Sequence, residues 1–225
     1  MHIAVLITNT DDSAFAKARP DDRAKFADLL HLLRPDWRVS SYVVKDGIFP
    51  NDLSGVDGWI ISGSPASVHD ADPWVQQLLD LIKRLDVAKA PMFGACFGHQ
   101  AIAQALGGSV GANPGGWVFG LAETTMEDGK IRLYAAHSEQ VLQAPIGAQV
   151  IGGNPDCPIG SFAIGQHILT TQYHPEMTPE FISELVDAFA HKLPPEVSIR
   201  AKASLSQIAE RDRIAEKIVA FFERH

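Results

Sequence analysis

The sequence predicts an α/β protein with a doubly wound, mostly parallel central sheet, helices on both faces and a small antiparallel edge. Short apolar runs typical of buried strands alternate with amphipathic helical segments over the first half of the chain, which is the pattern of parallel βαβ units. After about residue 109 the runs become shorter and are separated by Gly, Asp and Pro, which indicates an antiparallel ribbon. The length of 225 residues fits one large domain, or one domain with an appendage.

The first half of the chain divides into strands and helices by its hydrophobic periodicity. Strands are predicted at 2–8, 37–44, 58–62 and 91–96, and helices at 20–33, 74–85 and 100–106. Pro20 opens the first helix with two aspartates in its first turn, and Pro35 ends it. The polar residues 9–19 are predicted to form a loop.

The second half contains five β-like runs and then helices. The runs are 118–125, 131–136, 149–153, 160–165 and 168–174. A helix is predicted at 181–192, and Pro194-Pro195 marks a break before one final amphipathic helix. We therefore expect a main domain at 1–195 and a helical extension at 196–225 that packs on the domain or on a partner. Contact of the Phe221-Phe222 pair in this extension with a second copy, as in a homodimer, is one alternative.

Composition excludes several functional classes. The net charge is −8 and no cluster of Lys or Arg forms a stripe, so a nucleic-acid partner is not expected. The N-terminal segment lacks the basic lead of a signal peptide, and no apolar run approaches the length of a membrane span. A reducing cytoplasm is the expected location. The nine histidines show no metal-ligand spacing, so neither a metal nor another cofactor is expected, and His99 and His137 are interpreted as structural.

The strongest local signal is the segment Gly94-Ala95-Cys96-Phe97-Gly98-His99-Gln100, where a strand passes directly into a helix. Gly94 and Gly98 allow the tight, strained turn that exposes a nucleophile, a cysteine version of the G-x-S-x-G elbow. The positive end of the following helix favours the thiolate form of Cys96. On this element alone, a buried structural cysteine remains equally acceptable. Cys157, in a Pro-flanked turn with no helix behind it, is interpreted as a bystander.

A second signal is His174-Pro175-Glu176, at the end of the predicted strand 168–174. Residues two apart in a strand project to the same face, so the imidazole and the carboxylate can lie side by side. A carboxylate beside an imidazole fixes its tautomer and stabilises the imidazolium, as a general base requires. Taken alone, a surface turn is the simpler interpretation. Together with the elbow, a Cys96–His174–Glu176 triad becomes the better one.

A third signal is the turn Ser62-Gly63-Ser64-Pro65, which follows another parallel strand. Ligands in open α/β sheets bind beyond the carboxyl ends of the strands. A turn at this place can direct a backbone N–H at the oxyanion of a tetrahedral intermediate, beside the N–H of Phe97. An ordinary strand-to-loop turn is the alternative.

Together these residues resemble the class I (Cys-His-Glu) glutamine amidotransferases over roughly residues 1–190, with a flavodoxin-like fold. The resemblance implies that Cys96 forms a γ-glutamyl thioester, that His174 transfers the proton and that Glu176 orients His174. It implies oxyanion donors at Ser64, where many relatives have Gly, and at Phe97. Residues that contact the substrate are implied at Gly63, Gln100, Ser138 and Glu139.

The resemblance leaves two enzymatic functions open. In the first, the chain is a glutaminase that supplies ammonia to a synthetase in trans, as the amidotransferase part of GMP synthetase does. In the second, it is a γ-glutamyl peptidase that acts on γ-glutamyl conjugates. Both use a small-molecule substrate and the same acyl-enzyme, and they differ in the leaving group.

Two further classes rank lower. Related α/β proteins also carry a Cys on a strand–helix elbow, but they lack the H-P-E pair and place an acidic residue on an early strand. A catalytically inert α/β binding protein is the non-enzymatic alternative, because a fold can persist after its activity is lost.

Overall fold

A sheet of nine strands forms the centre of the protein. The structure is a computed structural model that describes residues 1–225. The strands are β1 (His2–Leu6), β2 (Arg38–Tyr42), β3 (Gly58–Ile61), β4 (Met92–Ala95), β5 (Ser109–Ala112), β6 (Val118–Met126), β7 (Gly129–His137), β8 (Glu139–Gln143), β9 (Ala148–Asn154), β10 (Cys157–Ile164) and β11 (Ile168–Thr171). The helices are α1 (Ala14–Lys17), α2 (Asp22–His31), α3 (Pro73–Val87), α4 (Phe97–Ala105), α5 (Pro179–Phe189), α6 (Pro195–Ser204) and α7 (Arg211–Phe222), with a short 3-10 turn at Val44–Asp46.

The sheet has a parallel part and an antiparallel part. Its strand order is β2-β1-β3-β4-β11-β10-β9-β6-β7. The first five strands are parallel to one another, and β10, β9, β6 and β7 continue the sheet as antiparallel neighbours. β5 and β8 form a separate antiparallel pair. The predicted fold class, with its antiparallel ribbon, is confirmed.

Helices cover both faces because the parallel strands are buried on both sides. In β1, Ile3 and Val5 pack in one cluster with α2 and α7. Ala4 and Leu6 pack in another cluster with α3 and α4. This alternation follows from the two-residue period of a strand. A third cluster joins α5 and α6 to β6.

Three local predictions are wrong. The expected loop 9–19 contains α1, which begins where the Ser13 hydroxyl accepts a hydrogen bond from the Ala16 N–H at 3.2 Å. The strand predicted to reach residue 174 ends at Thr171. The single final helix is two helices, α6 and α7. Between them the N–H of Glu210 donates to the carbonyl of Arg132 in β7 at 2.8 Å and its carboxylate accepts from the N–H of Arg132 at 2.9 Å, so the chain bonds to the sheet there.

The end of the chain packs on the rest of the protein. Helix α7 shares a cluster with α2, and Phe222 contacts the region of Gly58 so closely that a Cβ there would lie 2.5 Å from its ring. Phe221 and Phe222 are both buried. These rings are therefore covered by this chain and do not offer a surface to a second copy. None of the helices has both the length and the apolar character that crossing a membrane requires.

Candidate active site

Cys96 occupies a strained turn between β4 and α4. Its backbone angles are φ 50° and ψ −106°, and positive φ is costly for a residue with a side chain, by about 1–3 kcal/mol. The helix begins at Phe97, directly after the cysteine and earlier than the predicted start at 100. The sulfur therefore lies at the positive end of α4, where the first N–H groups have no partner within the helix.

The two glycines of the elbow are required by close backbone contacts. A Cβ on Gly98 would lie 2.2 Å from the carbonyl oxygen of Ile61 in β3. A Cβ on Gly94 would lie 2.7 Å from the carbonyl group of Gly98. Both distances are far below van der Waals contact, so only glycine allows α4 to start this close to the sheet.

His174 and Glu176 lie side by side, although they are not in a strand. After β11 the chain bends, and His174 is held by a hydrogen bond from its N–H to the carbonyl of Tyr134 at 2.8 Å. Its Nδ1 is 2.7 Å from Oε1 of Glu176, and both side chains are buried. Nδ1 donates this bond when Glu176 is ionised, which leaves Nε2 for the thiol.

The charges of this group are coupled. Burial would lower the pKa of His174, but the negative charges of Cys96 and Glu176, and hydrogen bonds with both, raise it well above its usual value. Burial would raise the pKa of Glu176, but the charge and hydrogen bond of His174 outweigh this effect and lower it. The arrangement favours a protonated imidazole beside an ionised carboxylate.

The turn after β3 forms the wall opposite His174. A Cβ on Gly63 would lie 2.8 Å from Cε1 of His174 and 3.6 Å from Cβ of Cys96, so this residue must be small. The hydroxyl of Thr8, just beyond β1, donates to the carbonyl oxygens of Ser62 at 2.9 Å or Gly63 at 3.1 Å. The carboxyl ends of neighbouring parallel strands thus fix the turn in place.

Ser64 lies in the turn after β3, and Phe97 directly follows Cys96 in the chain. The Ser64 hydroxyl accepts a hydrogen bond from the N–H of Ala66 at 3.1 Å, so its side chain stabilises the turn while its own N–H makes no backbone hydrogen bond. Phe97 is the first residue of α4, and its ring packs against Trp74 at 5.6 Å.

Of the remaining three predicted residues, Gln100 and Glu139 are joined by a hydrogen bond, and Ser138 makes a separate one. Gln100 Nε2 donates to the carbonyl of Glu139 at 2.9 Å, and the carboxylate of Glu139 accepts from the Ser67 hydroxyl at 2.8 Å. Ser138 is half-buried, and its carbonyl accepts from the N–H of Asn113 at 2.8 Å. None of the three lines the cavity described below.

Two side chains near the site were not singled out from the sequence. Gln172 is fully buried, its Nε2 donates to Sγ of Cys96 at 3.6 Å, and its Oε1 accepts from Gln100 at 3.2 Å. The only sequence signal for it was its position two residues before His174.

Asp22 is the other missed residue, because it was assigned only to the helix dipole. Its carboxylate is 3.2 Å from Nζ of Lys25, and its Oδ2 has no hydrogen-bond partner in the protein. Burial raises the pKa of Asp22; the positive charge of Lys25 opposes this rise and the negative charge of Glu176 adds to it. The second carboxylate oxygen of Glu176 is likewise without a partner.

The other titratable groups nearby are buried, and burial shifts their pKa values. His99 Nδ1 is 2.8 Å from the Thr170 hydroxyl, and burial lowers the pKa of His99 to about 3. Burial also lowers the pKa of His137 to about 4. Burial raises the pKa of Cys157 to about 12, so this thiol stays protonated at neutral pH.

A cavity of about 440 Å³ opens from Cys96, His174 and Glu176. It runs between the turn at Gly63–Pro65, the segment that includes α1, and helix α5. A nucleophile, a base, its carboxylate and the turn that carries Ser64 therefore line one space that a small molecule can enter.

Comparisons with known proteins agree on one family. Residues 37–192 match the family model described as glutamine amidotransferase class-I. The chain is 33% identical over 190 residues to gamma-glutamyl peptidase 3 of Arabidopsis thaliana, and the match covers 76% of each chain. It is 30% identical over 167 residues to the glutamine-hydrolyzing GMP synthase of Psychrobacter arcticus, covering 65% of this chain and 30% of that enzyme.

A solved structure supports the fold. The glutamine amidotransferase of Methylobacillus flagellatus superposes with a TM-score of 0.76, at 20% identity, over 99% of this chain and 93% of the other. At this identity the likeness concerns the arrangement of strands and helices alone.

Proposed function

Because this chain belongs to the class-I glutamine amidotransferase family, we propose that it hydrolyses a γ-glutamyl amide through a thioester on Cys96. The observation that carries the proposal is the shared cavity. The strained Cys96 at the start of α4 and the buried His174–Glu176 pair, joined at 2.7 Å, line the same space. A cysteine-dependent amidohydrolase needs this combination of nucleophile, base and orienting carboxylate.

The reaction proceeds in two balanced steps. The thiolate of Cys96 attacks the γ-carbonyl carbon, and the carbon–nitrogen bond breaks as the His174 imidazolium gives its proton to the departing nitrogen. A water molecule then attacks the thioester while His174 takes its proton, and glutamate leaves as the sulfur is regenerated. Glu176 remains ionised and orients the imidazole throughout.

The oxyanion of each tetrahedral intermediate accepts hydrogen bonds from the N–H groups of Ser64 and Phe97. The hydroxyl groups of Ser64 and Thr8 hold the turn at Ser64 in place. Phe97 is the first residue of α4, where the backbone N–H groups have no partner within the helix. Both features support these two donors. Removing one donor of this kind typically costs about 3–4 kcal/mol in the transition state.

The γ-glutamyl end of the substrate binds on the side of Cys96 that carries Gln100, Ser138 and Glu139. The half-buried carboxylate of Glu139 is suited to the ammonium group of the substrate. Gln100 acts by holding the Glu139 backbone through its 2.9 Å hydrogen bond. Gly63 leaves room for the substrate between the turn and His174.

Hydrolysis of a γ-glutamyl peptide is favoured over delivery of ammonia to a partner synthetase. The match to the peptidase covers 76% of that protein, whereas the match to the GMP synthase covers 30% of that enzyme. A synthetase that receives ammonia in trans is the second candidate, supported by that GMP synthase relative. Residues 1–195 would carry this chemistry, with 196–225 completing the packing.

Incubation of the purified protein with glutamine and with γ-glutamyl peptides, followed by measurement of ammonia, free amine and glutamate, tests the proposal. We expect glutamate release that requires Cys96 and is lost in Cys96→Ala. Glutamine or a γ-glutamyl compound should also protect Cys96 from a thiol reagent. Unchanged turnover in Cys96→Ala, or equal and unprotected labelling of Cys96 and Cys157, contradicts the mechanism.

A further inference from the structure

The wall of the cavity beyond the triad is aromatic. Six apolar side chains form it, and four of the rings are half-buried, so part of each ring faces the cavity. The six are Phe15, Trp117, Phe119, Met177, Phe181 and Phe189. An apolar ligand that covers half-buried aromatic rings removes their apolar surface from water, which favours binding.

These rings touch one another across three elements of the fold. Phe15 of α1 lies 5.9 Å from Phe181 of α5, measured between ring centroids. Phe119 of β6 lies 6.2 Å from Trp117 and 6.3 Å from Phe189. The first group joins α1 to α5 and the second joins β6 to α5, so the space that they line is a built cavity and not one exposed side chain.

The two cations that lie against these rings are paired with carboxylates. The guanidinium of Arg19 lies 3.7 Å from the centre of the Phe15 ring and is held by Glu184 at 2.8 Å. Lys25 lies 4.1 Å from the Phe181 ring centre and is held by Asp22 at 3.2 Å. Because these two charges are neutralised by their partners, the part of the wall that the rings form is suited to an uncharged apolar group more than to an acidic one.

The position of His174 decides which part of a substrate enters this cavity. The leaving nitrogen must lie next to the group that protonates it, and His174 lines the cavity beside Met177. The proposed contacts for the γ-glutamyl end, Gln100 and Glu139, lie outside the cavity. The amine side of the scissile bond therefore faces the aromatic wall.

We propose that the leaving amine of the substrate is bulky and apolar or aromatic, and that the aromatic wall binds it. This inference rests on the proposed γ-glutamyl hydrolysis. Ammonia, the leaving group of glutamine, would leave the cavity empty, whereas a volume of about 440 Å³ lies in the range of sites that bind organic ligands.

A series of γ-glutamyl dipeptides that differ only in the second residue tests the proposal, because the acyl group and the chemistry stay the same. We expect kcat/KM for γ-glutamyl-phenylalanine and γ-glutamyl-leucine to exceed that for γ-glutamyl-glycine on the order of tenfold or more. Glutamine should be a poorer substrate than the phenylalanine dipeptide.

Variants of the wall should change this selectivity. Trp117→Ala and the milder Phe181→Leu are expected to lower the ratio of kcat/KM between the phenylalanine and glycine dipeptides by about tenfold. Phe49→Ala is the matched control, because Phe49 is also half-buried but packs in the cluster with α3 and α4 and does not line the cavity. The control should keep the ratio of the unaltered protein.

The outcomes separate the inference from the function on which it rests. Equal kcat/KM values for all the dipeptides, or faster hydrolysis of glutamine than of every dipeptide, would overturn the proposed amine class. Neither result would contradict γ-glutamyl hydrolysis itself. An unchanged ratio in both wall variants overturns the proposed amine class as well. Failure to hydrolyse any γ-glutamyl compound overturns both.

Discussion

His174 donates from Nδ1 to Oε1 of Glu176 across 2.7 Å, with both side chains buried beside Cys96. Burial of the imidazole alone would lower its pKa, yet the neighbouring sulfur and carboxylate raise it well above the usual value. A raised pKa means that the protonated imidazole contributes stability at low pH. This contribution is lost as the pH rises through the folded-state pKa.

The first prediction concerns the two partners of this bond. We expect His174→Ala to lower kcat/KM for γ-glutamyl hydrolysis by about 10²–10⁴-fold, the typical contribution of general acid–base catalysis. Glu176→Gln should lower it less, because the amide still holds the ring but no longer stabilises the imidazolium.

Alkylation of Cys96 against pH gives a second measurement of the same pair. In Glu176→Gln the pKa of His174 should fall, because one of the two negative charges that raise it is gone. The imidazolium form of His174 is then lost at a lower pH than in the unaltered protein. A larger loss of activity in Glu176→Gln than in His174→Ala would contradict the assigned roles.

The second prediction concerns backbone strain at Cys96. Both Cys96→Ala and Cys96→Gly should fold and be inactive, but the glycine variant should be the more stable. Positive φ costs a residue with a Cβ about 1 kcal/mol or more, and glycine avoids this cost. Denaturant unfolding measures the difference; equal stability of the two variants would show that the turn stores no strain.

The third prediction concerns the contact between α4 and β3. Gly98→Ala should destabilise the protein by several kcal/mol, or prevent folding, because its Cβ would lie 2.2 Å from the Ile61 carbonyl oxygen. Gly115→Ala is the matched control, since its Cβ would meet only the Asn113 side chain, at 3.4 Å. Thermal unfolding of both variants tests the contrast, and similar melting temperatures would refute it.

The elbow and the His174–Glu176 pair could be predicted because each depends on local sequence. A cysteine between two glycines at a strand–helix junction, and an imidazole two residues from a carboxylate, are recognisable without the fold. The bend that replaces the end of β11 could not be predicted, because the hydrogen bond from His174 to Tyr134 joins residues 40 positions apart. Gln172 and Asp22 were missed for the same reason, since only tertiary packing brings them to the site.

The fourth prediction concerns Gln172, whose side-chain amide donates to Cys96 and accepts a hydrogen bond from Gln100. Gln172→Leu removes the donor that lies 3.6 Å from Sγ. We expect alkylation of Cys96 at neutral pH to slow by about tenfold, the effect of losing one hydrogen bond to a charged group. Gln149→Leu, an exposed change in β9, should leave the rate unchanged. A rate in Gln172→Leu equal to that of the unaltered protein would remove Gln172 from the site.

The fifth prediction concerns Asp22, which carries a buried carboxylate near Glu176. Its pKa is raised in the folded state, mainly by burial, so the folded protein binds more protons than the unfolded chain between the unfolded and folded pKa values. The contribution of Asp22 to stability is therefore present at low pH and falls as the pH rises through this window.

Asp22→Asn removes that titration. Relative to the unaltered protein, the variant should gain stability as the pH rises from about 4 towards neutrality, where an unfolded aspartate has already ionised. Asp21→Asn is the control, because Asp21 is exposed and an asparagine can still accept the capping hydrogen bond from the Ala24 N–H. The test is to measure the free energy of unfolding of the unaltered protein and of both variants across this pH range. A constant difference between Asp22→Asn and the unaltered protein would mean that Lys25 keeps Asp22 ionised throughout, so that Glu176 would face a permanent second negative charge.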